Sequence, residues 1–173
     1  MTKNKQNVMR NIEIEKVTVN LGLGSSGEKM DNIKEYCENL FGRKFVKTLA
    51  RTRNPTFKIR KGEPIGLKCT FRKAQAEKVL RDALAAVRNK IKKAAFDKLG
   101  NISFGVKEYI DYPNAKYDSA IGLFGFDVCV TFKRKGYRVM DRKIRRSEIG
   151  KNHRITKEEC MEYLKKSFNV EIV

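Results

Sequence analysis

The sequence is short of the residues from which metal sites and catalytic centres are made. It has one histidine, His153, and four cysteines, Cys37, Cys69, Cys129 and Cys160, spaced 32, 60 and 31 residues apart. Structural zinc takes clustered nitrogen and sulfur ligands, commonly from C-x-x-C pairs, and no such pair exists. The four cysteines therefore read as reduced core thiols of a cytosolic protein, not as a disulfide framework. Long apolar runs are also missing. The longest uncharged apolar-rich stretch, 119–126, is too short to span a bilayer, so no membrane partner is expected. Residues 1–10 are polar and lack the apolar segment of a secretory signal. Three prolines and twelve glycines are ordinary numbers for this length, which excludes collagen-like and low-complexity chains.

Negative charge is the remaining shortage. Lys and Arg number 39 against 20 Asp and Glu, a net charge of +19 over 173 residues. Such an excess costs self-repulsion unless an anion is bound. Residues 43–73 hold eleven basic residues and one acid, Glu63, a net of +10. Residues 131–157 hold another eleven against Asp141 and Glu148, a net of +9. The other 115 residues hold 17 of each sign, so two cationic segments are carried on a neutral scaffold. Arginines at 138, 142, 145, 146 and 154 point to phosphate recognition, because a guanidinium fork binds phosphate bidentately.

What is present is a series of short periodic segments. Residues 12–21 alternate as a strand, with a one-residue phase change near Glu15–Lys16 that predicts a bulge. Ile33, Tyr36, Cys37, Leu40 and Phe41 form a helical stripe over 28–41, with Ser25 and Glu28 as its capping box and Gly42 as its stop. Residues 44–49 read as a short strand, 50–63 as a projecting basic loop, and 64–72 as a strand. In that strand Ile65, Leu67, Cys69 and Phe71 face the core, and an open face is cationic and hydroxylated. A long helix is expected over 74–93, with Val79, Leu80, Ala83, Leu84, Val87 and Ile91 inward. Strands follow at 101–106 and 121–133, the latter with Phe124, Phe126, Val128, Val130 and Phe132 on one face. A turn-rich loop lies around Pro113, a basic arm over 134–155, and a final helix is capped by Thr156 and Glu159 with Met161, Leu164 and Phe168 inward. This order predicts one α+β domain over 1–173: an antiparallel sheet with helices on one face, an N-terminal tail at 1–11, a projecting loop and a basic arm. Few apolar residues anchor the loop or the arm, so both are expected to be mobile without a partner.

Residues 22–27, Gly-Leu-Gly-Ser-Ser-Gly, spell the G-x-G-x-x-G of dinucleotide sites between a strand and a helix. That motif also needs an acid about 20 residues on to hold the ribose. No Asp or Glu occurs between Glu38 and Glu63, and no second parallel βαβ unit follows. The motif reads as a tight turn, and no cofactor is expected. No Gly-Lys-Ser/Thr phosphate loop occurs. Asp111, Asp118 and Asp127 lie in one region without a base or nucleophile, Tyr112 and Tyr117 read as loop packing, and nothing argues for an enzyme. A nucleotide-dependent enzyme and a general nucleic-acid or DNA-binding module are the competing readings.

The segments IEKVTVNLGLG at 14–24, TFKIRKGEPIGLKCTFR at 56–72, NISFGVKEYID at 101–111, KYDSAIGLFGFDVCV at 116–130 and IGKNHRITKEE at 149–159 cover nearly the whole chain. Together they resemble the large-subunit ribosomal protein L5 family, called number eleven in eukaryotes, in its archaeal form. The resemblance implies a cytoplasmic ribosomal protein that binds 5S rRNA and helps attach it to the central protuberance of the large subunit. It also implies contacts with large-subunit rRNA, neighbouring large-subunit proteins, P-site tRNA and a small-subunit head protein in an intersubunit bridge. Carried over by motif, Asn20, Gly22, Arg51, Lys68, Thr70 and Arg72 would lie at 5S rRNA. Arg53, Asn54, Lys58, Arg60 and Lys61 would reach tRNA. Arg138, Arg142, Lys143, Arg145, Arg146, Lys151, His153 and Arg154 would contact rRNA. Phe57 is expected to anchor the loop to the core. Two positions depart from the family pattern: Thr56, where many relatives have glycine, and Lys135, where many have proline.

Overall fold

A computed structural model describes residues 7–24, 27–119 and 121–173. The expected Ser25–Glu28 capping box involves Ser25, which lies outside the described residues, as do residues 1–6 of the expected tail. Within the rest of that tail, Val8–Arg10 form a 3-10 turn whose Met9 N–H donates to Asn7 Oδ1. The elements are β1 (Ile12–Gly22), α1 (Glu28–Phe41), β2 (Val46–Leu49), β3 (Pro64–Phe71), α2 (Ala74–Ala86), β4 (Lys90–Ile91), β5 (Ile102–Val106), β6 (Phe126–Arg134), α3 (Arg138–Asp141), α4 (Lys157–Phe168) and β7 (Glu171–Ile172). Five strands form an antiparallel sheet in the order β2-β3-β1-β6-β5. The fold is the expected α+β class.

The alternation of the strands decides which face is covered. Val17, Val19 and Leu21 of β1, Leu67, Cys69 and Phe71 of β3, and Phe126, Val128, Val130 and Phe132 of β6 are all buried. The register between β1 and β6 shifts between Ile14 and Lys16, which is the bulge required by the phase change. Against this face lie Met30, Ile33 and Cys37 of α1, Val79, Leu80, Ala83 and Leu84 of α2, and Cys160 and Leu164 of α4, in one continuous core. The cap of α4 forms as its sequence predicts. Thr156 Oγ1 accepts from the Glu159 N–H, and the Glu159 carboxylate accepts from the Thr156 N–H.

Two element boundaries differ from expectation. The second helix ends at Ala86, not 93, because Arg88 and Asn89 both take left-handed backbone angles (φ 56° and 54°). Ile91 is still buried, but as part of β4, which pairs in parallel with β7. A helical i, i+4 spacing of Val87 and Ile91 therefore served a turn and a strand. The sixth strand begins at Phe126, not 121. Gly122 has φ 73°, and a Cβ on Gly125 would sit 2.7 Å from the Lys107 carbonyl oxygen, so the chain turns tightly there. Phe124 reaches the core from this turn by stacking on Tyr109, ring centroids 4.4 Å apart.

Three packing expectations also change. Cys37, Cys69 and Cys160 are buried, but Cys129 is exposed, because odd-numbered positions of β6 point away from the helices. Tyr112 is buried and donates to Asp82 (3.3 Å), whereas Tyr117 is exposed rather than packed. Phe57 is 71% exposed and does not anchor its loop. The G-x-G-x-x-G turn carries left-handed Gly24 (φ 68°) and Gly27 (φ 131°), conformations that by themselves explain those two glycines.

Candidate nucleic-acid interface

The uncovered sheet face carries mostly short polar side chains, with the long Lys68 and the exposed, apolar Val46 toward the β2 edge. Cross-strand pairing aligns Gly105, Asp127, Asn20, Lys68 and Val46 in one row across five strands. The adjacent row is Ser103, Cys129, Thr18 and Thr70. A shallow hollow of about 560 Å³ lies here, lined by Thr18, Asn20, Lys68, Ser103, Phe104, Gly105, Asp127 and Cys129. The expectation of a cationic, hydroxylated face holds along β3 but not across the sheet. Lys68 is the one cation lining the hollow, and β6 sets a carboxylate, Asp127, into it. Although Cys129 is exposed as a residue, partial desolvation of its thiol against the sheet and the Asp127 charge push it up, against the opposing pull of Lys68.

Gly66 sets how closely β1 and β3 approach. A Cβ there would lie 2.4 Å from the Leu21 carbonyl oxygen and 2.9 Å from Thr48 Oγ1. Beyond this pair, the Leu23 and Gly24 N–H groups both donate to the Ile65 carbonyl, extending the strand junction past Gly22. Asn20 and Thr70 are half-buried on the open face, while Gly22 and Lys68 are exposed. Arg72, just past the end of β3, is exposed and pairs with Glu15 at 3.5 Å, so part of its charge is already met.

The loop 50–63 is a folded hairpin. Ala50 and Glu63 close its base (2.8 Å), and Asn54 and Ile59 exchange backbone hydrogen bonds at 3.0 Å in both directions. Asn54 Oδ1 accepts from the Thr56 N–H at 3.1 Å, an Asx turn. The Glu63 carboxylate accepts from the Arg60 N–H at 2.9 Å. Asn54 thus holds the loop's shape, while Arg51, Arg53, Lys58, Arg60 and Lys61 present their side chains to solvent.

The basic arm is fastened at its base by a residue that charge counting places on the surface. Arg134 is 5% exposed, pairs with Glu159 at 2.7 Å and donates to the carbonyl oxygens of His153 and Arg154. It ties the end of β6 to the start of α4 and is a structural cation, not part of the anion-binding charge. Tyr137 adds a second tie, its hydroxyl donating to His153 and accepting from the Ile155 N–H. His153 is half-buried, with Nε2 2.9 Å from the Lys135 carbonyl and its ring against Tyr137. Arg154 pairs with Glu148 (3.4 Å) and donates to the Ile149 carbonyl. Arg138, Arg142, Lys143, Arg145, Arg146 and Lys151 are exposed. Partial burial alone would raise the Glu159 carboxyl, but the Thr156 backbone hydrogen bond and the Arg134 guanidinium hold it below its ordinary value.

Topology separates the loop 50–63 from the basic arm, although Arg72 and Lys73 at the end of β3 lie on the arm's side. The loop enters β3 beside the Gly22–Gly66 pair, and the arm leaves β6 beside the Ile12–Arg134 pair. These are opposite ends of the 11-residue β1, roughly 33 Å apart at the rise of an extended strand. The polar face lies between them. Sequence reasoning missed Asp127, Cys129, Thr18 and Ser103 as parts of this face. The signal was available for the β6 residues, since assigning its aromatic and valine positions to the core leaves 127 and 129 on the other side.

Comparisons with known proteins bear on this architecture. Residues 7–60 match the family described as Ribosomal protein L5, and residues 64–163 match the model of that ribosomal family's C-terminus. The large ribosomal subunit protein uL5 of Methanosphaera stadtmanae is 45% identical over 96% of this chain and 99% of its own length. Its counterpart in Methanococcus vannielii is 48% identical over 95% of this chain and 93% of its own. That of Sulfolobus acidocaldarius is 44% identical over 98% and 95%. With both halves matched and relatives aligned along nearly its full length, the chain belongs to the large-subunit ribosomal protein L5 family.

Proposed function

We propose that this chain, a structural constituent of the large ribosomal subunit, binds 5S rRNA through the open face of its sheet and helps anchor it in the central protuberance. The observation that carries this reading is the open polar face of the five-stranded sheet, with the basic loop 50–63 and the basic arm at opposite ends of its strand β1. Short side chains let a folded RNA come close to the sheet, and flanking arginines and lysines meet its phosphates. Binding of this kind is backbone-directed, with specificity from shape, 2′-hydroxyls and a few unpaired bases. Members of the family are ribosomal structural proteins, not enzymes.

The remaining contacts follow the family resemblance. The loop 50–63 reaches P-site tRNA with Arg53, Lys58, Arg60 and Lys61, and its exposed Phe57 offers a stacking surface. The arm 134–155 contacts large-subunit rRNA, and a small-subunit head protein completes an intersubunit bridge. Titration of the purified protein with 5S rRNA, with tRNA and an unrelated RNA as competitors, tests the central claim. If roughly 6–10 phosphates are neutralised, affinity falls by about 10³–10⁵ between 50 and 200 mM salt. Equal affinity for all three RNAs at physiological salt would sink it.

A further inference from the structure

The carboxylate of Asp127 is out of place on a face that receives phosphates. It lies in the hollow, exposed, with no hydrogen bond or ion pair to any described residue. Across the strands it is flanked by Asn20 and then Lys68 on one side and by Gly105 on the other. Gly105 leaves room beside it, since a Cβ there would already be 3.3 Å from Asp127 Oδ1. A fixed negative charge repels the RNA backbone. The chemical use for it on such a surface is to accept hydrogen bonds from N–H groups of a base.

The order of groups in the row narrows the choice of base. A carboxylate has two parallel acceptors, and the neighbouring amide and ammonium supply donors at steps of about 4.5–5.5 Å. Guanine alone among the four RNA bases presents two adjacent donors, N1–H and the N2 amino group, followed by an acceptor, O6. Adenine, cytosine and uracil each place an acceptor beside their donor, which would face the second carboxylate oxygen. We propose that Asp127 is a specificity residue that receives the Watson–Crick edge of an unpaired guanine in the bound RNA, with Asn20 or Lys68 donating to O6. Unpaired bases are where sequence is read in RNA, because their edges are free. This inference rests on the reading of the open face as the 5S rRNA surface.

Kethoxal, which attacks N1 and N2 of unpaired guanine, tests it with the full chain and 5S rRNA. Wild-type protein should protect a single-stranded guanine, and Asp127→Asn should leave that guanine reactive in an RNA that is still bound at higher protein concentration. Affinity of the variant for 5S rRNA should fall by about 5- to 150-fold, the range for one good base contact. Its affinity for an unrelated RNA should stay equal or rise, since a repulsive charge has gone. The opposite sign is equally readable. If Asp127→Asn binds both RNAs more tightly and the kethoxal pattern is unchanged, Asp127 is only a repulsive charge and the proposal is overturned. Alkylation of Cys129, in the neighbouring row, separates this from failure of the underlying reading. If Cys129 stays reactive in the wild-type complex, the open face is not the RNA surface, and both fall together. The substitution is isosteric at an exposed position, and an unchanged unfolding midpoint confirms that the variant is folded.

Discussion

At the scale of single residues, position within the pleat outweighs residue type. Phe57 and Phe71 are both aromatic residues of one basic segment, yet Phe71 is buried in the core and Phe57 projects from a hairpin tip. Phe57→Ala should therefore change stability by no more than about 0.5 kcal/mol in a urea melt. Gly66 is the opposite case. Its backbone angle is ordinary, but a methyl group there would strike the Leu21 carbonyl oxygen. That contact is backbone and cannot swing aside, so Gly66→Ala should lower the unfolding free energy by about 1–3 kcal/mol, with a fall in denaturant midpoint at constant slope. Arg134 shows the same principle for charge. It was one of eleven basic residues in a segment, and its neighbours on both sides are half-buried or exposed, but the even-numbered register of β6 turns it inward onto Glu159.

At the scale of elements, the junction of β6, the arm and α4 is the feature to test. The capping box and the Arg134 pair converge on one carboxylate, Glu159. Its folded-state pKa is held below the ordinary 4.5. A lowered carboxylate contributes stability above the unfolded value, and that contribution is lost as pH falls through the folded value. Glu159→Gln should accordingly be less stable than wild type near pH 7, and the gap should close as pH falls below the ordinary carboxylate range and through the lowered folded-state value. A gap that stays constant with pH would show that the carboxylate charge is immaterial to the junction. The premature end of α2 belongs to the same scale. Helical spacing extends to Ile91, but two successive left-handed residues end the helix, and the freed segment pairs with the C-terminal strand β7. That pairing partner lies some 80 residues away, as Lys90 aligns with Glu171, so local periodicity had no access to it.

At the scale of the whole molecule, the covered and uncovered faces give four cysteines two different fates. Burial pushes the Cys37 and Cys160 thiols up to about 12 and raises that of Cys69 as well. Cys129 alone is exposed. Alkylation of the folded protein should modify one thiol per chain, identified by peptide mapping as Cys129, and all four in urea. Reaction of two or more in native buffer would mean that the helical layer does not cover the sheet as described. In the proposed complex, 5S rRNA should slow modification of Cys129 and leave the folded-state silence of the other three unchanged.

Much of this was legible along the chain. Strand alternation, the bulge near residue 15, the α4 capping box and the α+β class depend on local periodicity and short-range hydrogen bonds, which one-dimensional spacing encodes directly. Net charge and its division into two segments are likewise properties of the chain alone. Their placement is not. Pairing β1 between β3 and β6 put the loop and the arm at opposite ends of one strand, with a polar face between them. Strand pairing also set Asp127 beside Asn20 and Lys68, residues 107 and 59 positions distant in sequence. Such neighbourhoods arise from long-range register, so the sequence determined which chemistry the protein carries, and the tertiary structure decided which of those groups meet.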